Sequence, residues 1–241
     1  MTDRELSNPA TQTVTLIIPG AGDGTRLGLG IPKALVPIAG VPMLRRTLAR
    51  FARCESVAEI IVTAPAAYVA EFEVVLAEGA ATSGDGPVAA RVIAGGATRQ
   101  HSVELGLRAS ASTAPLVCVH DAARPLVSIT TITAVIEAAS RSGAATAASR
   151  PADSVREETP QGGSRALDRA RLWMIETPQV FTRALLEEAH RKARDARLDA
   201  TDDATLVERL CGVDVAIVQS EGANIKVTSR SDLDLAALLC R

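Results

Sequence analysis

Short apolar runs rich in Val, Ile and Ala recur along the chain, each followed by a longer stretch whose apolar residues return at helical spacing. The runs "VTLIIP" (14–19), "EIIVTA" (59–64), "ARVIAG" (90–95), "LVCVHD" (116–121), "GAATAA" (143–148) and "DVAIVQ" (214–219) predict strands, and "NIKVT" (224–228) is a further strand candidate. The stretches 41–53, 66–78, 99–110, 128–141, 182–195, 202–211 and 231–240 predict helices. The strand runs are apolar nearly throughout rather than alternating, so both faces of each strand must be covered. Strand–helix alternation then predicts an α/β fold: a Rossmann-like, mostly parallel twisted sheet with helices on both faces, joined by right-handed crossovers.

Helix starts carry their own signals. Thr201 is placed to cap "DDATLVERL", with Asp202 and Asp203 at the positive end of that helix. Ser231 is placed to cap "DLDLAALL" in the same way, with Asp232 and Asp234 in the first turn. Two segments break the alternation. Residues 79–89, "GAATSGDGPVA", read as a loop. Residues 150–172, "RPADSVREETPQGGSRALDRARL", are polar and carry no helical stripe, and so long an irregular stretch inside a compact domain points to a functional segment.

Composition narrows the classes. The chain has 241 residues, 47% hydrophobic and 22% charged, enough for one domain over 14–241 behind a polar tail at 1–13. Aromatics make up only 2%, so Ala, Val, Leu and Ile must build the core. A net charge of −2 with one Trp and one Tyr offers neither a basic surface nor a stacking platform for nucleic acid. Cys54, Cys118, Cys211 and Cys240 are scattered and read as reduced thiols of a cytoplasmic protein, while His101, His120 and His190 lack metal-site spacing. No apolar run approaches the roughly 20 residues of a membrane span.

The candidate chemistry lies in "PGAGDGTRLG" (19–28), directly after the first strand run. Its glycines miss the dinucleotide fingerprint, because the fifth step from Gly20 falls on Thr25 and from Gly22 on Leu27. The loop also lacks the G-K-[ST] ending of a Walker phosphate loop. Phosphate is still the ligand such a loop suits. Glycines let backbone N–H groups approach an anion, Arg26 adds a rigid cationic fork, and Lys33 follows Pro32 in "IPKAL".

"IIPGAGDGTRLG…PKAL" resembles the nucleotide-binding start of sugar- and polyol-phosphate nucleotidyltransferases. With "GGATRQHSV" (95–103), "HDAARP" (120–125), "TPQVF" (177–181), "TDDA" (201–204) and "NIKVT", the chain resembles the 2-C-methyl-D-erythritol 4-phosphate cytidylyltransferases over roughly 14 to 238. The resemblance implies transfer of CMP from CTP to a sugar-alcohol phosphate, with Arg26, Lys33 and Lys226 as catalytic cations. It places the cytidine against Gly20, Ala21, Gly22, Gly24, Gly96, Ser102 and Ala122. It gives Asp121 and Thr201 to the acceptor, and Arg124, Ser154 and Arg169 to the acceptor phosphate across a homodimer interface made by a protruding arm at about 150–172. Mg²⁺ is implied on the CTP phosphates, with Asp121 as a further ligand candidate. The chain departs from the family at Gly20-Ala21-Gly22, where members often carry Ala-Ala-Gly, and at Ala97, where some carry an acidic residue. Two other functions share the same fold: cytidylyl transfer to ribitol 5-phosphate, and a catalytically silent nucleotide sensor.

Overall fold

Successive residues of the first apolar run face opposite ways in the computed structural model, which describes residues 13–22, 28–79, 82–83 and 86–240. Leu16 and Ile18 belong to one core cluster and Ile17 to another, as the two-residue period of a strand requires. The expected tail lies outside the described residues up to Gln12, and so do Gly24 and Arg26 of the glycine loop.

In chain order the elements are β1 (Val14–Pro19), β2 (Pro37–Ile38), β3 (Val41–Pro42), α1 (Met43–Phe51), β4 (Val57–Ala64), α2 (Val69–Glu78), β5 (Thr82–Ser83), β6 (Gly86–Pro87), β7 (Ala89–Ala94) and α3 (Arg99–Ala109). There follow β8 (Leu116–Val119), α4 (Ile129–Ser142), β9 (Ala144–Ser149), β10 (Arg156–Glu158), β11 (Ser164–Ala166), β12 (Met174–Thr182), α5 (Arg183–Ala196), α6 (Asp203–Cys211), β13 (Ala216–Gln219) and α7 (Arg230–Leu239). Seven strands form the central sheet in the order β13-β9-β12-β8-β1-β4-β7. The pairs are parallel except where β12 runs antiparallel to β8 and β9.

Helices cover both faces. Leu48 and Phe51 of α1, Phe72 and Val75 of α2, and Ile132 and Val135 of α4 pack with Leu16 and Ile18. Val103 and Leu107 of α3, Leu186 and Ala189 of α5, and Leu206 and Val207 of α6 pack with Ile17. The three phenylalanines, Phe51, Phe72 and Phe181, are fully buried, whereas Tyr68 and Trp173 are half-buried. Elsewhere the interior is aliphatic, and β9 is mostly buried alanine. All four cysteines are free.

The sheet differs from the expectation at β12. The segment "MIETPQVFT" contains Pro178, which argues against a central strand because proline gives no N–H to the ladder. The sheet accommodates it with an irregularity: the register with β9 shifts between Ile175 and Gln179. Residues 224–228 form no strand and cross the end of the sheet as irregular chain. The arm region is a hairpin of β10 and β11, exposed throughout, and the 79–89 loop holds the short pair β5 and β6. The caps also move. Asp202, not Thr201, caps α6 by accepting from the Thr205 N–H, and Ser229, not Ser231, caps α7 in a reciprocal box with Asp232. Asp232 wins that place because its carboxylate also accepts from both the N–H and the hydroxyl of Thr228.

Candidate active site

A cleft of about 320 Å³ opens at the carboxyl ends of β1 and β8. The chain leaves β1 toward β4 and β7 on one side and reaches β8 on the other, so the cleft sits where the strand order reverses. Open α/β sheets place ligands there because diverging connections leave a crevice. Gly20, Ala21 and Gly22 form one wall, with Lys33 and Ala34 beside them. Gly96, Ala97, Thr98, Arg99 and Ser102 form a second wall, and Asp121, Ala122, Lys226 and Thr228 a third.

The glycine wall has steric reasons. A Cβ on Gly20 would meet the Thr63 carbonyl oxygen and the Phe72 ring at 2.9 Å, where the Gly20 N–H already bonds that oxygen. A Cβ on Gly95 would lie 2.5 Å from the Ala21 side chain, so the β1 and β7 loops approach closely only because residue 95 is glycine. Ser102, buried in the first turns of α3, accepts from the Gly96 N–H at 3.1 Å and donates to the Thr98 carbonyl at 2.9 Å. Its hydroxyl thus shapes the backbone that lines the cleft.

Asp121 is the single carboxylate among the described lining residues, and it is nearly buried. Lys226 Nζ lies 2.6 Å from one of its oxygens and Arg99 Nε 2.9 Å from the other. Burial would raise the carboxyl pKa, but the Arg99 and Lys226 charges override it and hold the group far below the ordinary carboxylate range. Arg99 reaches on to Asp203 through Nη1 at 2.7 Å, and His190 Nε2 stands 3.3 Å from the other Asp203 oxygen. Neither ring nitrogen of His190 makes a well-directed hydrogen bond among the described residues, so this is a close approach rather than an aligned bond. Asp203 behaves like Asp121: burial opposes its charge, and Arg99 and His190 more than compensate.

The irregular part of β12 supports this array from beneath. Thr177 Oγ1 accepts from the Asp121 N–H at 3.0 Å and stands 3.1 Å from His120 Nδ1. His120 Nε2 contacts the Arg124 carbonyl at 3.1 Å, and a carbonyl only accepts, so Nε2 carries the proton and Nδ1 accepts from Thr177. Burial drives His120 toward the neutral form and lowers its pKa to about 4. Two residues on, Gln179 Oε1 accepts from the N–H groups of Asp203 and Ala204, both at 3.0 Å, and fixes the start of α6. One strand therefore seats both aspartates.

Lys226 is placed by its neighbours rather than by a ladder. Asn224 Nδ2 donates to Glu176 Oε2 and to the Thr177 carbonyl, both at 2.8 Å. The Val227 N–H donates to the Ala123 carbonyl at 2.9 Å, and Arg124 Nη1 donates to the Asn224 carbonyl at 2.7 Å.

The structure brings together Gly20, Ala21, Gly22, Lys33, Gly96, Ser102, Asp121, Ala122 and Lys226. Gly24 and Arg26 fall outside the described residues. Arg124 does not line the cleft: it is buried, with its guanidinium under the 224–228 segment. Ser154 is exposed near the hairpin, Arg169 Nη1 donates to the Ala152 carbonyl, and Thr201 is exposed with its hydroxyl on Asp202, so none of these three lines the cleft of a single chain. Arg99 and Asp203 were missed, although both lie inside quoted motifs, "GGATRQHSV" and "TDDA". Only their separation from each other in sequence hid the pairing.

The family model for 2-C-methyl-D-erythritol 4-phosphate cytidylyltransferase matches residues 14–241. The enzyme of that name from Symbiobacterium thermophilum is 39% identical over 227 residues, covering 94% of this chain and 92% of its own. The one from Thermus thermophilus is 41% identical over 229 residues, covering 95% and 97%. Among solved structures, 4-diphosphocytidyl-2C-methyl-D-erythritol synthase from Anaerococcus prevotii superposes with a TM-score of 0.84 at 27% identity, covering 98% of this chain and all of its own.

Proposed function

The chain belongs to the 2-C-methyl-D-erythritol 4-phosphate cytidylyltransferase family, and we propose that the cleft between the Gly20 wall and Asp121 is where its reaction takes place. The enzyme transfers CMP from CTP to 2-C-methyl-D-erythritol 4-phosphate, releasing pyrophosphate, in the non-mevalonate route to isoprenoids. The observation that carries the assignment of the site is the meeting of Lys33 and Lys226 with a backbone-lined glycine wall at the switch point of the sheet.

The acceptor phosphate attacks the α-phosphorus of CTP. A phosphate monoester has its second pKa at about 6, so the nucleophile is already ionised near neutrality and needs no base. The obstacle is the meeting of two anions, and catalysis then consists of positioning and charge stabilisation. Lys33, Lys226 and Arg26 supply the positive charge around the reacting phosphates. The backbone at Gly20, Ala21, Gly22, Gly24 and Gly96, with Ser102, receives the cytosine and its ribose beside Ala122. Asp121 accepts from substrate hydroxyls, and Arg124 serves the site by holding the Asn224 segment.

Among the described residues no three carboxylate, His or Cys side chains gather as a metal site, and Asp121 is the lone carboxylate in the cleft. This donor set fits Mg²⁺ carried mainly on the triphosphate, for which Asp121 would be the one carboxylate of the described lining within the cleft. Bound there, the ion would neutralise triphosphate charge. The exposed β10–β11 hairpin, with Ser154 and Arg169 absent from the cleft lining of the single chain, supports a homodimer in which the arm of one subunit completes the acceptor site of the other. A cytoplasmic location agrees with four free cysteines and with the lack of any membrane-length apolar helix among the described residues.

The test is pyrophosphate release from CTP and Mg²⁺ with 2-C-methyl-D-erythritol 4-phosphate and ribitol 5-phosphate in parallel. Turnover with the first alone, abolished by Lys33→Ala, is expected. Turnover with ribitol 5-phosphate alone would move the acceptor assignment, and CTP binding without turnover on either would sink the catalytic roles.

A further inference from the structure

Arg99 is the first residue of α3, and its guanidinium lies between two carboxylates from distant parts of the chain. We infer that Arg99 is a positioning residue that fixes Asp121 on the cleft floor by anchoring it to Asp203.

The two ends of this bridge differ. Asp203 is 1% exposed, its backbone N–H is held by Gln179, and it lies outside the cleft lining. It cannot follow a substrate. Asp121 faces the cleft, and its other partner, Lys226, is half-exposed on irregular chain. Lys226 is therefore the partner that an incoming triphosphate can draw away, whereas Arg99 is tied from behind.

Charge counting shows what remains. Lys226 and Arg99 balance Asp121 and Asp203, so these four side chains together carry no net charge. Once Lys226 turns to a phosphate, one negative charge is left. It resides at Asp121, because Asp203 keeps Arg99 Nη1 at 2.7 Å. Asp121 then presents an oxygen that only accepts, suited to substrate hydroxyls, and one that Arg99 still holds. Without Arg99, Lys226 would be the one remaining ion-pair partner, among the described residues, of a nearly buried carboxylate. It would be pinned there and withheld from the phosphates, since an unpaired buried charge is costly. Lysine is a poor substitute at position 99, because a single ammonium cannot span both carboxylates as a planar fork does.

This inference rests on the reading of Asp121 as a substrate contact. The test is a double-mutant cycle on the full-length enzyme, with kcat and KM for both substrates and thermal midpoints for every variant. Arg99→Met and Asp121→Asn should each lower kcat/KM for the acceptor by about 30-fold or more, and the double variant should stay within about threefold of Asp121→Asn alone, because the two residues act as one unit. Arg99→Lys should recover part of the loss in kcat. Losses that multiply, or an Arg99→Met enzyme with unchanged kcat/KM, would overturn the inference. If Arg99→Met does not fold, Asp203→Asn takes its place in the cycle, and non-additivity with Asp121→Asn is again expected. Full turnover in Asp121→Asn alone would remove the reading of the cleft itself, an outcome distinct from multiplying losses.

Discussion

Lys226 Nζ stands 2.6 Å from Asp121 Oδ2, and this ion pair closes one side of the cleft between the end of β8 and the irregular segment before α7. If Lys226 leaves this carboxylate for a substrate phosphate, as proposed, it contributes mainly to the reaction. Lys226→Ala should lower kcat/KM by about 10²- to 10³-fold, as the loss of one preorganised charge does elsewhere. Its side chain is 41% exposed, so the thermal midpoint should change little. A variant with wild-type kcat/KM would remove Lys226 from the chemistry.

His120 makes the fold sensitive to acid. Its pKa is about 4 in the native state against 6.5 for the free side chain. The unfolded chain therefore binds a proton in a window where the native protein does not. Stability from this group is fully present above pH 6.5 and is lost as pH falls toward 4. The total is on the order of 3 kcal/mol, at about 1.4 kcal/mol per pH unit. His120→Gln keeps one donor and one acceptor without titrating. Urea midpoints measured from pH 7 to 4 should fall steeply for the wild type and more gently for the variant, and parallel curves would refute the assignment.

Asn224 holds the segment that carries Lys226. Asn224→Ala removes two bonds and leaves Glu176 with Ser220 at 2.7 Å as its hydrogen-bond donor, at a cost of about 1–3 kcal/mol. Asn224→Asp should be worse, because it sets a second carboxylate against Glu176. Both variants should lose activity along with stability, Asp more than Ala, as read by thermal denaturation and kcat/KM. An Asp variant as stable as the wild type would show that the segment is held some other way.

The arm can be tested through one substrate. If Arg169 meets the acceptor phosphate of a neighbouring subunit, Arg169→Ala should raise KM for the acceptor by about 10- to 100-fold, the worth of a hydrogen bond to a charged group. KM for CTP and the thermal midpoint should stay near wild type, because the side chain is exposed and its one hydrogen bond among the described residues is to the Ala152 carbonyl. Equal increases for both substrates would place Arg169 elsewhere.

Much of the fold was legible in the chain. The run "VTLIIP" could only be a strand buried on both faces, and the helices after it were bounded to within a few residues. Gly20 and Lys33 were visible as phosphate chemistry around the loop after β1, whereas Gly96, Ser102 and Asp121 were legible through the family resemblance of the motifs that carry them. β12 was not visible, since Pro178 contradicts a central strand unless the ladder breaks around it. Residues 224–228 misled for the opposite reason. Their Ile and Val read as a strand, yet Ile225 and Val227 pack against a small cluster with Met43 and Ala236 rather than joining the sheet.

The sequence by itself determined the alternation of elements, the glycine wall and the cationic character of the cleft, because these depend on local periodicity and residue type. The tertiary structure alone decided which charges meet. Arg99 lies between Asp121 and Asp203 because α3, β8 and α6 converge at one end of the sheet, and Arg124 is buried because the 224–228 segment folds over it. An ion pair depends on the distance between side chains in space, and local pattern carries no information about which remote residue the fold will bring within 3 Å.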